Sequence, residues 1–253
     1  MIPSCPFFGT PAHAARQGGD LMLICTDLVK KYRGLTAVDH LSLQLETGKV
    51  YALLGPNGSG KSTFMKIAAG LIQPTSGEIT FDSMPIGPET KAKIAYMPTE
   101  TYFYSYMTWK DAGRYYKDFF SDFRPDRYRL LLEEFHLDPR GKISKMSSGM
   151  AAKGKIALAL SRDAALCMLD EPLNGIDIIA RDQVLSAISH YASPNRTFVI
   201  SSHLVDELET MADNAVFIKN GKLVRQGSIE QLTHQAGASL TELYKDIYRD
   251  CVQ

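Results

Sequence analysis

The stretch Gly55-Pro56-Asn57-Gly58-Ser59-Gly60-Lys61-Ser62-Thr63 decides how this chain reads. It fits the pattern G-x-x-x-x-G-K-[ST] at every fixed position, a loop whose backbone N–H groups converge on phosphate oxygens. Gly55, Gly58 and Gly60 let the backbone bend tightly enough for that convergence. Lys61 adds a point charge for β- and γ-phosphates, and the Ser62 hydroxyl offers a ligand to Mg²⁺. Pro56, Asn57, Ser59 and Thr63 complete the nucleotide-binding run. Residues 50–54, just upstream, read as a short buried strand, and residues 62–70 read as a helix. Strand, loop and helix in that order are the context the motif demands, so a bound nucleoside triphosphate is expected.

A second half-site lies downstream. The apolar strand at residues 166–169 delivers Asp170 and Glu171, followed by Pro172. Asp170 is placed to hold Mg²⁺ directly or through water. Glu171 is placed to orient an attacking water or to take its proton. Taken alone, these are two solvated acids at a strand end; behind a phosphate loop they read as metal ligand and base.

Around these motifs, strands alternate with helices, which predicts a largely parallel sheet covered on both faces. Residues 21–32 and 40–46 read as strands, the second with Leu41, Leu43 and Leu45 on one face. Shorter strands are expected at 77–81, 94–97, 164–169 and 197–200. Helical spacing runs from 109 to 135 with a break at Arg124–Pro125, and again over 150–160, 178–191 and 204–211. A hairpin over 215–226 turns at Asn220–Gly221. Residues 1–20, rich in Pro, Gly and Ala, are expected to be a disordered extension with no secretory pattern, and Met22 is an alternative start. One domain with insertions, or two subdomains, is expected over 21–235, with a helical insertion at about 100–160 and a helical tail over 236–253.

Bulk composition narrows the partners. With 253 residues and 45% hydrophobic content, the chain can bury a sizeable core. Its 28 Lys plus Arg balance 28 Asp plus Glu, so it carries no global basic field and no nucleic-acid partner is expected. The four cysteines form no C-x-x-C pair, and neither zinc nor a disulfide framework is implied. The longest purely apolar run, residues 164–169, falls far short of the roughly 20 residues that span a bilayer.

The ordered motifs resemble those of the ATP-binding cassette family, the nucleotide-binding subunits of ABC transporters. Glu171-Pro172-Leu173-Asn174-Gly175-Ile176-Asp177 looks like that family's D-loop, usually EPxxGLD. Ser201-Ser202-His203 matches its switch-histidine segment, and Met146-Ser147-Ser148-Gly149-Met150 resembles the signature LSGGQ. The S-x-G-M form is similar to the small bacterial ABC-2 type exporter branch.

The resemblance implies an α/β P-loop NTPase core with a mostly parallel sheet, an antiparallel β subdomain and a small α-helical insertion. It implies that His203 contacts the γ-phosphate and works with Lys61 and Glu171 in catalysis. Tyr32 sits where the family stacks an aromatic on adenine; a partly buried surface tyrosine is the other reading. Ser147, Ser148 and Gly149 would grip the ATP of a partner subunit at the positive end of a helix, although a serine there is also an ordinary N-cap. The family's glutamine after the strand that ends at Met97–Pro98 is here Thr99, with Glu100 next, so Thr99 is the residue left to approach Mg²⁺ and its water.

Two cassettes, alike or related, are then expected to close on ATP. They would work with a separate transmembrane permease, at the cytoplasmic face of the membrane. Tyr102, Phe103, Tyr104 and Tyr106 form either a groove for that permease or the insertion's own small core. A soluble cassette serving Fe–S cluster assembly is the alternative from another class.

Overall fold

The computed structural model describes residues 20–251, so the N-terminal extension expected over residues 1–20 lies, but for Asp20, outside the described residues. In chain order the elements are β1 (Leu21–Tyr32), β2 (Leu35–Glu46), β3 (Val50–Leu54), α1 (Lys61–Ala68), β4 (Ser76–Phe81), β5 (Met84–Pro85) and α2 (Pro88–Ala92). There follow β6 (Ile94–Met97), α3 (Trp109–Phe119), α4 (Pro125–Glu134), α5 (Ser148–Leu160), β7 (Leu166–Asp170) and α6 (Ile178–Tyr191). The chain continues through β8 (Thr197–Ser202), α7 (Val205–Glu209), β9 (Asn214–Lys219), β10 (Lys222–Ser228), α8 (Ile229–Ala236) and α9 (Leu240–Tyr248).

Two sheets divide the strands. The larger has the order β10-β9-β3-β8-β7-β6, with only β10 antiparallel to its neighbour. Its central strands β3, β7 and β8 are buried at every position, as parallel strands covered on both faces must be. The smaller sheet, order β2-β1-β4-β5, is antiparallel throughout. Successive side chains of β3 point to opposite faces and so serve two cores. Tyr51 and Leu53 join Leu41, Leu43 and Leu45 of β2 and Phe64 of α1. Val50, Ala52 and Leu54 face the core built on α5, α6 and the helical insertion. The fold is thus the α/β P-loop architecture with a mostly parallel sheet, an antiparallel sheet and inserted helices.

Element boundaries depart from the sequence reading where tertiary contacts override pattern. β2 begins at Leu35 rather than residue 40, because Leu35 and Thr36 pair back onto Tyr32 and Lys31 across a tight turn at Gly34, φ 74°. Its first residues are largely exposed, so no apolar alternation marks them. The helical run at 109–135 is two helices, as its break at Arg124–Pro125 predicts: α3 stops at Phe119 and Pro125 opens α4, where its missing N–H costs nothing. Trp109 is fully buried against α5, and Gly154 makes that approach possible, since a Cβ there would collide with the indole ring.

Two distant segments buttress the phosphate loop. The hairpin between β9 and β10 turns at Asn220 and Gly221, both at positive φ, and the Gly221 N–H donates to the Ser59 carbonyl at 2.9 Å. The buried Tyr248 hydroxyl at the end of α9 donates to the carbonyls of Leu54 (3.0 Å) and Ile218 (2.9 Å). Tyr248→Phe leaves those buried acceptors without this donor. It is expected to lower stability by about 1–2 kcal/mol, read as a reduced urea midpoint at unchanged slope.

Candidate nucleotide site

The carboxyl ends of β3, β7 and β8 meet along one edge of the large sheet, where ligand crevices of open α/β sheets form. β3 leads into the loop 55–60. Gly58 and Gly60 take φ 80° and 107°, and a Cβ on Gly60 would run into the Ala37 carbonyl, so that position admits glycine alone without displacement. β7 ends on Asp170, and the register that pairs Asp170 with Ser201 puts His203 beside Glu171.

A cavity of about 430 Å³ opens here. Asn57, Gly58, Ser59, Gly60, Lys61, Ser62 and Thr63 form one side of it, and Thr99, Glu171, Asn174 and His203 the other; Tyr32, Leu35 and Ala37 close its rim. Gly55 and Pro56 lie beneath, accepting from the Lys61 ammonium at 2.6 and 3.2 Å. That ammonium, 5% exposed, also stands 3.5 Å from Glu171 Oε1. The other Glu171 oxygen is 2.9 Å from His203 Nδ1. Tyr32 is half exposed, with Lys30 Nζ 5.2 Å from its ring centroid.

Asp170 is buried beside the cavity and both its oxygens are engaged. Oδ1 accepts from Ser201 Oγ at 2.6 Å and Oδ2 from the Tyr96 hydroxyl at 3.2 Å. Burial, reinforced by the nearby Asp170 charge, pushes the Tyr96 hydroxyl well above its usual range, which keeps it a donor. Ser201 Oγ in turn accepts from the Glu171 N–H at 2.9 Å. Glu171 has φ 49°, a left-handed conformation costing a non-glycine residue about 1 kcal/mol or more, and Ser201 helps hold it there. Thr99 Oγ1 donates to the Asp170 carbonyl at 3.3 Å.

Ser147, Ser148 and Gly149 stand apart from this cavity. Ser147 Oγ caps α5 by accepting from the Met150 N–H at 3.3 Å, while Ser148 is exposed. Gly149 packs on Gly175, whose carbonyl a Cβ at Gly149 would approach to 2.8 Å.

The aromatic cluster divides. Phe103 packs edge-on against Trp109 at 5.6 Å and so belongs to the insertion's core. Tyr104 and Tyr106 stack on each other at 5.5 Å, 68% and 67% exposed.

Sequence reasoning assigned no role to Ser201, Tyr96 or Asn174. Ser201 and Tyr96 reach Asp170 only through strand pairing, although Ser201 stands two residues before His203.

A glycine-bent phosphate loop facing an acidic strand end on a mostly parallel sheet defines a P-loop ATPase. The chain belongs to the ABC transporter family, whose model matches residues 38–174, and it is an ATP-binding, ATP-hydrolysing subunit of that family. It is 34% identical over 205 residues to the lantibiotic transport ATP-binding protein SrtF of Streptococcus pyogenes, covering 80% of this chain and 89% of that protein. It is 30% identical over 217 residues to the SkfA peptide export ATP-binding protein SkfE of Bacillus subtilis, covering 83% and 90%. A solved ATP-binding subunit of an ABC transporter superposes with a TM-score of 0.81 at 28% identity, over 89% of this chain and 98% of that one.

Proposed function

We propose that this chain is the ATPase of an exporter, one of two cassettes that close on ATP and drive a separate membrane-spanning permease from the cytoplasmic face. The observation that carries the reading is that Ser147, Ser148 and Gly149 lie outside the cavity lined by the phosphate loop, Glu171 and His203. One chain thus presents two half-sites, and a head-to-tail pair with two-fold symmetry completes both. The printed functions of SrtF and SkfE, transport of a lantibiotic and export of a peptide, support outward transport. Among the described residues no helix is long and apolar enough to cross a membrane. The exposed Tyr104–Tyr106 stack offers a docking point for a permease.

Within each half-site the phosphate-loop amides, Lys61, Ser62 and Thr63 bind and orient the triphosphate, and Tyr32 flanks the base. Glu171 orients water and accepts its proton, and His203, held by Glu171, meets the γ-phosphate. The donors Ser62, Asp170 and Thr99 are hard oxygens suited to Mg²⁺, and the buried Glu171 Oε1 beside them accepts no hydrogen bond and meets only the Lys61 ammonium at 3.5 Å. The residues therefore fit the metal, which when bound would offset the charge developing on the phosphates.

Paired inactive variants test the reading. Lys61→Ala removes the phosphate charge and Ser148→Arg blocks the exposed signature turn, so each alone is expected to be nearly inactive. Mixed one to one, random pairing gives half the dimers one intact site, and turnover returns to about a quarter of the parent's. No recovery on mixing, with both variants folded, would contradict a site shared between subunits.

A further inference from the structure

Lys155 lies on α5, about two turns beyond Ser147. Its side chain is buried, 5% exposed, yet no carboxylate pairs with it among the described residues. Its ammonium donates instead to three successive main-chain carbonyls, Pro98 at 2.9 Å, Thr99 at 2.7 Å and Glu100 at 3.5 Å. Three carbonyls match the three protons of an ammonium. Burial lowers the lysine's pKa, while Glu100 and Asp170 act in the opposite sense. An apolar side chain would fill this space without desolvating a charge. What the charge achieves is mechanical: it clasps the segment that follows β6 to α5. That segment carries Thr99, which lines the nucleotide cavity and bonds to the carbonyl of Asp170.

We propose that Lys155 is a positioning residue for ATP hydrolysis, holding Thr99 at the cavity edge from the helix whose first turn presents Ser147, Ser148 and Gly149. One side chain thereby sets the loop beside Asp170 and the signature turn in a common frame, and motion of α5 moves Thr99. Lys155 does not line the nucleotide cavity and acts only through the main chain it grips. This rests on the ATPase reading; turnover by the parent reports on that reading, and the ratio of variant to parent reports on the clasp.

The test is a double-variant cycle in steady-state ATP hydrolysis on the purified full chain. Lys155→Met removes the ammonium at similar side-chain length, and Thr99→Val removes the hydroxyl at similar shape. Lys155→Met is expected to lower kcat about tenfold or more, since a displacement of 1 Å can cost on the order of 100-fold, while KM for ATP stays within about twofold. Thr99→Val lowers kcat as well, and the double variant is no slower than the slower single one. Should Lys155→Met not fold, Lys155→Gln, a shorter donor that cannot reach all three carbonyls, takes its place in the same cycle. Losses that multiply in the double variant, or a Lys155 variant turning over within about twofold of the parent, overturn the proposal. So does a matched loss in kcat and rise in KM, because that pattern marks a general disturbance of the nucleotide pocket.

Discussion

Glu171→Gln is expected to slow ATP hydrolysis by about 10²–10⁴-fold while leaving nucleotide affinity near the parent's. The amide keeps the volume and one acceptor oxygen of the carboxylate, so the cavity and the phosphate loop are undisturbed. What it loses is the ability to take a proton. Lys61 and His203 approach the two Glu171 oxygens at 3.5 and 2.9 Å, which aims the carboxylate at the space between phosphate loop and switch strand. Its backbone is fixed too, because the Ser201 hydroxyl bonds the Glu171 N–H and supports a left-handed φ of 49°. A group held in a conformation that an unconstrained chain avoids is one whose direction matters. In the proposed two-cassette arrangement, blocking hydrolysis keeps the bridging triphosphate in place, and the closed pair is expected to accumulate. Size-exclusion with light scattering in ATP and Mg²⁺ is expected to find Glu171→Gln as a dimer where the hydrolysing parent runs mainly as a monomer. Parent-like turnover in the variant would place the base elsewhere.

The phosphate loop and the acid pair are legible in sequence because each is a local run whose chemistry travels with its spacing. Gly55 through Thr63 and Asp170–Glu171 need no distant information to be recognised. The atoms that aim them do. Ser201 reaches Asp170 because β7 and β8 pair in one register, and Tyr96 reaches it from β6 on the other side. Neither residue type announces such a partner. Lys155 reads in sequence as one more basic residue on a helix, and only the packing of α5 under residues 98–100 reveals what it grips. Tyr248 likewise looks like the end of an amphipathic tail, although its hydroxyl closes the ends of β3 and β9. The misplaced start of β2 has the same origin: cross-strand pairing extends the strand through residues whose exposure erases any pattern.

The second large effect concerns the joint between the inserted helices and the large sheet. Arg162 follows α5 and is 3% exposed. Its Nε and Nη2 reach the two carboxylate oxygens of Asp122 at 2.8 and 3.0 Å, a bidentate pair. The remaining donors bond the carbonyls of Ile94 at 2.9 Å and Ala92 at 2.5 Å, and the guanidinium lies 3.9 Å from the centre of the Phe120 ring. One planar side chain thus joins the α3–α4 connection to the start of β6. Arg162→Leu fills part of the space but leaves the Asp122 charge unpaired and two carbonyls without donors. Breaking one side of a buried ion pair costs about 3–5 kcal/mol, against roughly 5–15 kcal/mol for a whole domain. A large drop in the urea midpoint is therefore expected, or loss of soluble protein. Arg162→Lys keeps the charge but not the fork, so an intermediate loss follows. Asp122→Asn is also expected to lower the midpoint, because it leaves the guanidinium, 3% exposed, without a counter-charge and with one acceptor oxygen fewer. Equal midpoints for Arg162→Leu and the parent would show that the insertion is held to the sheet by apolar packing alone.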